Sequence, residues 1–304
     1  MIQGKARFAC RDIDPGFSYS RLWPQAPARR LVEDYWEIRA ARCRTAVEAA
    51  LPDTAVEIYF NLGPSGRHAL NGIPAERPGP RAAWVTGPRA QSVLIAKETR
   101  DCDIVGVRLQ AGGARQVLGI PAHELNGSVV DLDHLWGPVV AEIRERLSAA
   151  ANTQDRIEIV ERAVLRRAAE GGADHRLRPI EALCAAVDSR RFTSVTQIAD
   201  AFGLTHRRVI ALFEEHVGLK PKTYHRVQRL RQAMKAAGSP RRAPWAQVAV
   251  QSGFCDQAHL IHEFRRLTGL TPVEYSHRRT RVGDGFVPMQ FAPGDDDGTA
   301  QARL

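Results

Sequence analysis

The sequence has no apolar run near the ~20 residues that a membrane-spanning helix requires, and its first residues contain no apolar signal core. We therefore expect a cytoplasmic protein with no membrane partner. It also lacks a phosphate-binding loop, a dinucleotide fingerprint, a Gly-x-Ser-x-Gly elbow and a His-Glu-x-x-His motif. These absences predict that the protein is not an enzyme and has no cofactor.

Cysteine is scarce, and the five cysteines are odd in number and contain no Cys-x-x-Cys pair. We therefore expect neither a disulfide framework nor a structural zinc site. We expect reduced thiols that pack as small apolar groups. Three histidines of the N-terminal region also lack the spacing of metal ligands, so we expect no metal site. The cysteines are Cys10, Cys43, Cys102, Cys184 and Cys255, and the histidines are His68, His123 and His134.

Positive charge is concentrated in one part of the chain. Residues 176–281 contain 19 Lys and Arg against 8 Asp and Glu, whereas residues 1–175 contain 23 against 22. The last 23 residues, 282–304, hold one Arg and four Asp. A local excess of +11 is typical of a region that binds a polyanion, although charge alone leaves nucleic acid, a membrane surface and simple solubility open.

The N-terminal region is predicted to be rich in β-strands. Short apolar stretches at 55–62, 93–96 and 104–109 are separated by Gly- and Pro-containing turns. From about residue 137 the apolar spacing becomes helical, and Asn152-Thr153 separates two amphipathic helices as a stop and an N-cap. These helices either complete the N-terminal core or form a dimer seam.

The C-terminal third contains a degenerate internal repeat. Residues 218–224 (GLKPKTY) recur as 269–275 (GLTPVEY) at an offset of 51, while Ile198-Ala199 and Gly203 recur at an offset of 50. One residue has therefore been added in the second turn. One such unit could be a coincidental helical hairpin, but two copies in register in the basic part of the chain argue against coincidence.

Each copy has the pattern of a helix-turn-helix. In the first, Ser194 or Thr193 caps a short helix, Gly203 ends it, and Thr205 caps a second helix. In the second copy, Gly253 and Asp256 take the places of Gly203 and Thr205. A helix from Pro221 to about residue 237 connects the two units, and its length of ~26 Å suits recognition helices about one DNA turn apart.

Residues 253–260 (GFCDQAHL), continued by Phe264-Arg265-Arg266 and 269–275, resemble the signature of the AraC/XylS family of transcription regulators. The first unit agrees from Ile198 to Pro221. The resemblance implies an all-helical domain that inserts both recognition helices into successive major grooves of double-stranded DNA, usually activating transcription by contact with RNA polymerase.

The N-terminal part resembles, more weakly, the sensor region of a little-characterised branch of this family, through 107–114, 118–121 and 130–133. This implies a β-rich, cupin-like domain for effector binding or dimerisation. The expected fold is α+β, with trailing helices after the β-rich domain and then an all-α domain. We predict domains at 1–172 and 176–281, helix-turn-helix units at about 194–217 and 245–268, and a flexible tail at 282–304.

The candidate DNA-contacting residues lie on the outward faces of the two recognition helices and at the start of the connecting helix. Arg207 and Arg208 occupy a first turn, where Arg clasps guanine or neutralises phosphate. At Ile210, Ala211 and His262, many relatives carry Arg or another polar residue. The sequence therefore leaves open which bases, if any, these three residues contact. His259 contacts either DNA or its own domain. The predicted set is Arg207, Arg208, Ile210, Ala211, Lys222, Ala258, His259, His262 and Arg265.

For the sensor domain the sequence offers candidates only. Glu57 and Asn61, preceded by Asp53, fall in or near a predicted strand, and Trp84 and Arg89 flank a Pro-containing turn. They either line an effector pocket or pack in the core. We predict a sequence-specific regulator, an activator that binds DNA as a homodimer and responds to a small molecule. The alternatives are a metal-binding cupin-like enzyme fused to a DNA-binding domain and a non-specific architectural DNA binder.

Overall fold

The computed structural model describes residues 8–14, 17–40, 47–64, 67–69, 82–97, 101–171, 177–189, 192, 194–237, 244–278 and 286–288. Its N-terminal part is rich in strands with helices behind them, and its C-terminal part is helical, which confirms the predicted fold class. None of the described helices is long and apolar enough to cross a membrane. The linker predicted at 172–176 lies outside the described residues, so the limits of the two domains remain predictions.

The strands form two antiparallel sheets, because β-branched and aromatic residues alternate along short segments bounded by turns. The strands are β1 (Phe8–Asp14), β2 (Phe17–Leu22), β3 (Val32–Ala40), β4 (Val47–Ala50), β5 (Glu57–Asn61), β6 (Arg67–Ala69), β7 (Ala83–Thr86), β8 (Val93–Lys97), β9 (Cys102–Leu109), β10 (Val129–Asp131) and β11 (Phe286–Pro288). The larger sheet has the order β1-β2-β3-β9-β5-β7-β10, and the smaller has the order β11-β4-β8-β6.

The central strand β9 shows how the larger sheet divides its two faces. Val105 and Val107 belong to the main apolar core, whereas Ile104 belongs to a separate cluster on the opposite face, as the two-residue period of a strand requires. On that second face the Trp36 ring lies directly against Gly106, where an added Cβ would come within 2.0 Å of the indole. Glycine is needed here for close approach.

Helices cover the first face of the larger sheet and complete its core. Ile143 and Leu147 of α3 and Val160 and Val164 of α4 are buried in the same cluster as the sheet residues, which supports the core-completing alternative over a dimer seam. Asn152 caps α4 by accepting a hydrogen bond from the Asp155 amide, as predicted. The helices are α1 (Gly113–Leu118), α2 (Asp133–Trp136), α3 (Val139–Ala149) and α4 (Thr153–Glu170), with short 3-10 helices at Ala28–Arg30 and Ala122–Leu125.

The C-terminal part contains two helix-turn-helix units joined by a long helix. The helices are α5 (Leu177–Asp188), α6 (Val195–Ala201), α7 (His206–His216), α8 (Pro221–Ala236), α9 (Trp245–Gln251), α10 (Gln257–Thr268) and α11 (Pro272–Arg278). In the first unit α6 and α7 pack together, and in the second α9 and α10 do. α8 connects the units and packs against helices of both.

The turns within the two units confirm the predicted glycines and caps. Gly203 and Gly253 adopt φ of +63° and +80°, a region in which side chains with a Cβ are strained. Ser194 caps α6, and the side chains of Thr205 and Asp256 cap α7 and α10 by accepting the amides of Arg208 and His259. Thr193 lies outside the described residues. Gly203 is two residues from its cap and Gly253 three, which places the added residue in the second turn.

The segment 282–304, predicted as a flexible tail, contains a strand. β11 pairs antiparallel with β4, with Phe286 opposite Ala50 and Pro288 opposite Glu48. The rest of the segment lies outside the described residues. The correction has a physical reason: three residues paired to a sheet edge need no periodicity that a sequence could display.

The N-terminal and C-terminal parts share an apolar core. Leu51, which follows β4, is fully buried in the cluster formed by α8, α9 and α10, beside Leu230, Val248 and Leu260. The two parts are therefore packed on each other rather than merely connected by chain.

Candidate nucleic-acid interface and effector cavity

The inner side of α7 anchors the first unit. Val209, Leu212 and Phe213 are at most 5% exposed and pack with α5, α6 and the start of α8. Because they recur at helical spacing, the opposite side of α7 faces outward. Arg207, Arg208 and Ala211 are exposed on it, and Ile210 is half-buried. The structure therefore places Arg207 and Arg208 in the first turn of an accessible helix, as predicted.

The second unit has the same arrangement on α10. Leu260 and Phe264 are fully buried, and Ala258, His262 and Arg265 are exposed. Ile261 lies between these residues and is 37% exposed, although an isoleucine normally avoids water. Ile261 is not among the residues predicted to contact DNA, because an apolar residue carries no charge signal.

His259 is held within its own domain. Its ring packs edge-on against Phe254 at a centroid distance of 5.5 Å, and its Nδ1 accepts a hydrogen bond from the Cys255 amide at 3.4 Å. The ring is half-buried. These contacts favour the packing alternative for His259 over a DNA contact.

The cations around α8 differ in their accessibility. Lys222 is exposed near the start of the helix, as a phosphate-contacting residue would be. Arg226, one turn further along the same helix, instead pairs with Glu263 of α10 at 2.9 Å. Two more arginines between α8 and α9, Arg241 and Arg242, lie outside the described residues.

A cavity of about 590 Å³ lies between the larger sheet and α8. Its wall from the sheet includes Tyr19 and Trp36, and its wall from α8 includes Gln228 and Arg231. A volume of this size falls within the range of small-molecule sites. Because both parts of the chain contribute, a molecule bound here would contact the strands and the connecting helix together.

A buried group of charges forms one end of this cavity. Arg108 of β9, almost fully buried, donates to Asp53 at 2.5 Å, to Glu57 at 3.1 Å and to Glu33 at 2.8 Å. Arg231 of α8 approaches the same Asp53 carboxylate at 3.2 Å. Buried charges are stable only when they are paired in this way, so the group is held rigidly.

The pKa of Asp53 is shifted by two opposing effects. Burial raises it, but the neighbouring guanidinium groups of Arg108 and Arg231 lower it more, and the net pKa lies well below the usual value for Asp. The pKa of Arg108 is raised well above its usual value, since its carboxylate partners outweigh the effect of burial. Both groups are therefore charged at neutral pH.

The predicted sensor residues divide into two groups. Glu57 and Arg89 line the cavity, together with Asp53. Asn61 and Trp84 do not: Asn61 accepts the Gly63 amide at 3.2 Å, and the buried Trp84 ring stacks on Tyr59 at 5.0 Å. For these two residues the contacts favour the alternative of packing in the core, because a strand's alternation identifies a face of the sheet but not where along it a cavity opens.

The main cavity residues that sequence analysis missed are Arg108 and Arg231. Arg108 lies within an apolar strand, where nothing in the sequence separates a buried arginine from an exposed one. Arg231 lies on a helix rich in Lys and Arg, where nothing in the sequence separates it from its cationic neighbours. A metal site has no support among the described residues, where no group of three or more His, Cys, Asp or Glu side chains lies close enough together.

Two protein families match different parts of the chain. A domain of unknown function (DUF6597) matches residues 20–131, and a helix-turn-helix domain of the AraC type matches residues 198–278. The second match spans both units described above, from α6 to the end of α11. This part of the chain is therefore similar to AraC-type DNA-binding domains, and the match covers less than half of the chain.

Proteins similar to this chain include a probable transcriptional regulator, LumQ, of Photobacterium leiognathi, which is 34% identical over 82 residues. The match covers 27% of this chain and 33% of LumQ, so the chain spans about a third of the curated relative's length.

Among solved structures, ToxT of Vibrio cholerae is 12% identical, with 80% of this chain and 97% of ToxT covered and a TM-score of 0.47. A probable AraC family transcriptional regulator of Rhodopseudomonas palustris CGA009 is 22% identical, with 32% and 90% covered and a TM-score of 0.26.

Within the matched helix-turn-helix region, α7 and α10 are exposed on their first turns and buried on their inner sides. The family match therefore falls on the part of the chain whose geometry suits DNA. The residues that contact bases are not fixed by the family match, since Ile210, Ala211 and His262 depart from its common pattern.

Proposed function

We propose that this protein is a sequence-specific transcription regulator of the AraC type that inserts α7 and α10 into successive major grooves of an operator. The observation that carries the proposal is the pair of capped, outward-facing recognition helices joined by α8 within the region of +11 net charge. Two helices presented by one domain gain affinity together that neither has alone. An architectural binder would need no such pair of exposed faces.

The test is selection of DNA duplexes from a random library, followed by footprinting on the enriched sequences. We expect protection in two successive major grooves about 10 base pairs apart. Uniform protection along all DNA would favour the architectural alternative, and enrichment of no sequence would contradict specific binding.

Two alanine variants, one at an arginine and one at a lysine, distinguish base contacts from phosphate contacts. Arg207→Ala should relax preference at one base pair, at a cost of ~1–3 kcal/mol for the preferred base. Lys222→Ala should weaken binding to all duplexes alike and reduce the salt dependence. Arg146→Ala, on the exposed side of α3, is the matched control. A sequence-specific loss in Lys222→Ala would contradict its assignment to the backbone.

We also propose that the cavity between the larger sheet and α8 binds a small-molecule effector, with Glu57, Arg89 and Arg108 among its polar contacts. Support comes from its volume and from its combination of aromatic and paired polar side chains. A panel of metabolites screened by thermal shift would find ligands. Gln232→Trp, which fills the cavity wall, should abolish the shift, while Ala236→Trp, one turn further along α8 and outside the cavity, should not.

The finer features of the proposal rest on the family resemblance. They are activation of transcription through RNA polymerase, action as a homodimer and a cytoplasmic location. Sedimentation of the purified protein tests the dimer, and transcription from a selected operator with purified polymerase tests activation. Repression in that assay, or a monomer at operator-saturating concentration, would contradict them.

A further inference from the structure

The C-terminal end of α7 is attached to the N-terminal part of the chain at three consecutive residues. The His216 carbonyl accepts the Gly112 amide at 3.1 Å, and the Glu214 carbonyl lies 3.3 Å from His123 Nδ1. The Glu215 carboxylate pairs with Arg115 at 3.3 Å. The last carbonyls of a helix have no partner within the helix, so α1 and the segments beside it supply partners that the helix itself lacks.

The C-terminal end of α10 is attached in a similar way. The Leu267 carbonyl accepts the Ser92 amide of the segment before β8 at 3.1 Å. Between the two recognition helices, Asp53 holds Arg231 of α8, and Leu51 is buried in the core of the second unit. The N-terminal part thus contacts both recognition helices and the helix that connects them.

The turn between α7 and α8 shows how closely the two parts approach. Gly218 lies against Pro88 and Ala122, and an added Cβ would be 2.6 Å from the Pro88 Cγ and 2.8 Å from the Ala122 carbonyl oxygen. Its φ of +83° also requires glycine. The first unit and the N-terminal part are therefore in close contact at this turn.

These contacts leave the outward-facing side chains free. They involve residues 214–218 and 267, at the C-terminal ends of the recognition helices, whereas Arg207, Arg208 and Ala258 lie on first turns and are exposed. The N-terminal part therefore does not cover the candidate DNA-contacting surface. What it constrains is the position of one recognition helix relative to the other.

We propose that the N-terminal part acts as an orientation clamp, which fixes the angle and separation of α7 and α10. The clamp prepares these helices for operators with one particular spacing between half-sites. Its contacts are made by Leu51, Asp53, Ser92, Gly112 and Arg115. The proposal rests on the proposed DNA binding. Two helices held in the required geometry bind a matched pair of sites with less loss of conformational freedom than two helices that move independently.

The test compares a clamp variant with a control of the same composition. The clamp variant is Leu51→Ala/Arg115→Gln/Arg231→Gln. The control, Leu147→Ala/Arg146→Gln/Arg166→Gln, removes one buried leucine from the N-terminal core and two arginines from exposed helix pairs. The two variants have equal charge, so non-specific attraction to DNA changes equally.

The DNA probes are a selected two-site operator, the same operator with one base pair inserted between half-sites, and a duplex with one half-site. One added base pair rotates the second site by about 36°. Wild type and control should lose most of their affinity on insertion. The clamp variant should bind the matched operator about tenfold more weakly, lose little more on insertion, and bind the single half-site as the control does.

Three results would overturn the clamp. Equal sensitivity of clamp variant and control to the insertion would mean that α8 alone sets the geometry. Tighter binding by the clamp variant would mean that the contacts inhibit. If the clamp variant lost as much affinity for the single half-site as for the matched operator, the substitutions would have damaged the recognition helices themselves. If wild type binds no selected duplex, the proposed DNA binding itself is contradicted. If wild type binds but the clamp variant behaves like the control, only the clamp is contradicted.

Discussion

The buried position of Leu51 makes a quantitative prediction about the stability of the second helix-turn-helix unit. Leu51 precedes β5 in the chain, yet its side chain is 0% exposed among residues of α8, α9 and α10. Truncation to alanine removes about three carbon groups, worth ~2 kcal/mol in transfer free energy. The cavity left behind adds to this, so we expect Leu51→Ala to cost about 3 kcal/mol.

Hydrogen exchange resolved along the chain is the suitable assay, because it reports local opening rather than a single global transition. A loss of about 3 kcal/mol corresponds to ~100-fold faster exchange of protected amides where exchange follows the opening equilibrium. We expect this acceleration in α9 and α10. The control Leu147→Ala, also fully buried but between helices and sheet of the N-terminal part, should accelerate exchange mainly in α3 and α4.

The reasoning is refuted if Leu51→Ala accelerates exchange only in the strands, or if both leucine variants accelerate α10 equally. The first result would mean that the leucine contributes nothing to the second unit. The second would mean that the whole chain opens as one body and that the position of Leu51 has no special role.

Three further predictions follow from particular contacts. Asp256→Ala removes the cap of α10 and should lower the free energy of unfolding by ~1 kcal/mol; denaturation by urea measures this, and Asp256→Ser should retain most of it. Gly106→Ala forces a methyl group into the Trp36 ring and should cost ~1–3 kcal/mol, with a changed tryptophan emission spectrum; an unchanged spectrum and stability would contradict the contact. Because the pKa of Asp53 is depressed in the folded protein, its ionised form stabilises the fold above the ordinary Asp pKa of ~3.9 and this contribution is lost as pH falls towards the depressed value. The stability difference between wild type and Asp53→Asn should therefore stay nearly constant from pH 7 to about pH 5 and shrink below about pH 4; a difference that does not shrink there would contradict the ion pairs with Arg108.

Local features of this protein follow from its sequence because local chemistry determines them. Asn152, Ser194, Thr205 and Asp256 are polar residues that precede apolar helical patterns, and each caps the helix expected of it. The two helix-turn-helix units were recognisable because duplication repeats the same signals at nearly the same offset. The strands at 55–62, 93–96 and 104–109 were found for the same kind of reason, their apolar alternation between turns.

Features that depend on packing between distant segments could not be obtained in this way. Leu51 is one apolar residue among many, and only the folded chain shows that it belongs to the core of the second unit. Arg108 and Arg231 meet at Asp53 across more than a hundred residues of sequence. Trp84 is a similar case: its position beside a turn leaves both a pocket and the core open, and only the folded chain shows its ring stacked on Tyr59 within the sheet.

The strand β11 changes how the two parts of the chain are related in topology. Because β11 follows α11 and pairs with β4, the chain leaves the β-rich part, forms the helical part and then returns to the same β-rich part. In chain order, the helical part thus lies between segments of the β-rich part. Shortening the protein after residue 281 would remove an edge strand from the smaller sheet, so such a deletion would alter the β-rich part even though it cuts the chain beyond the last described helix.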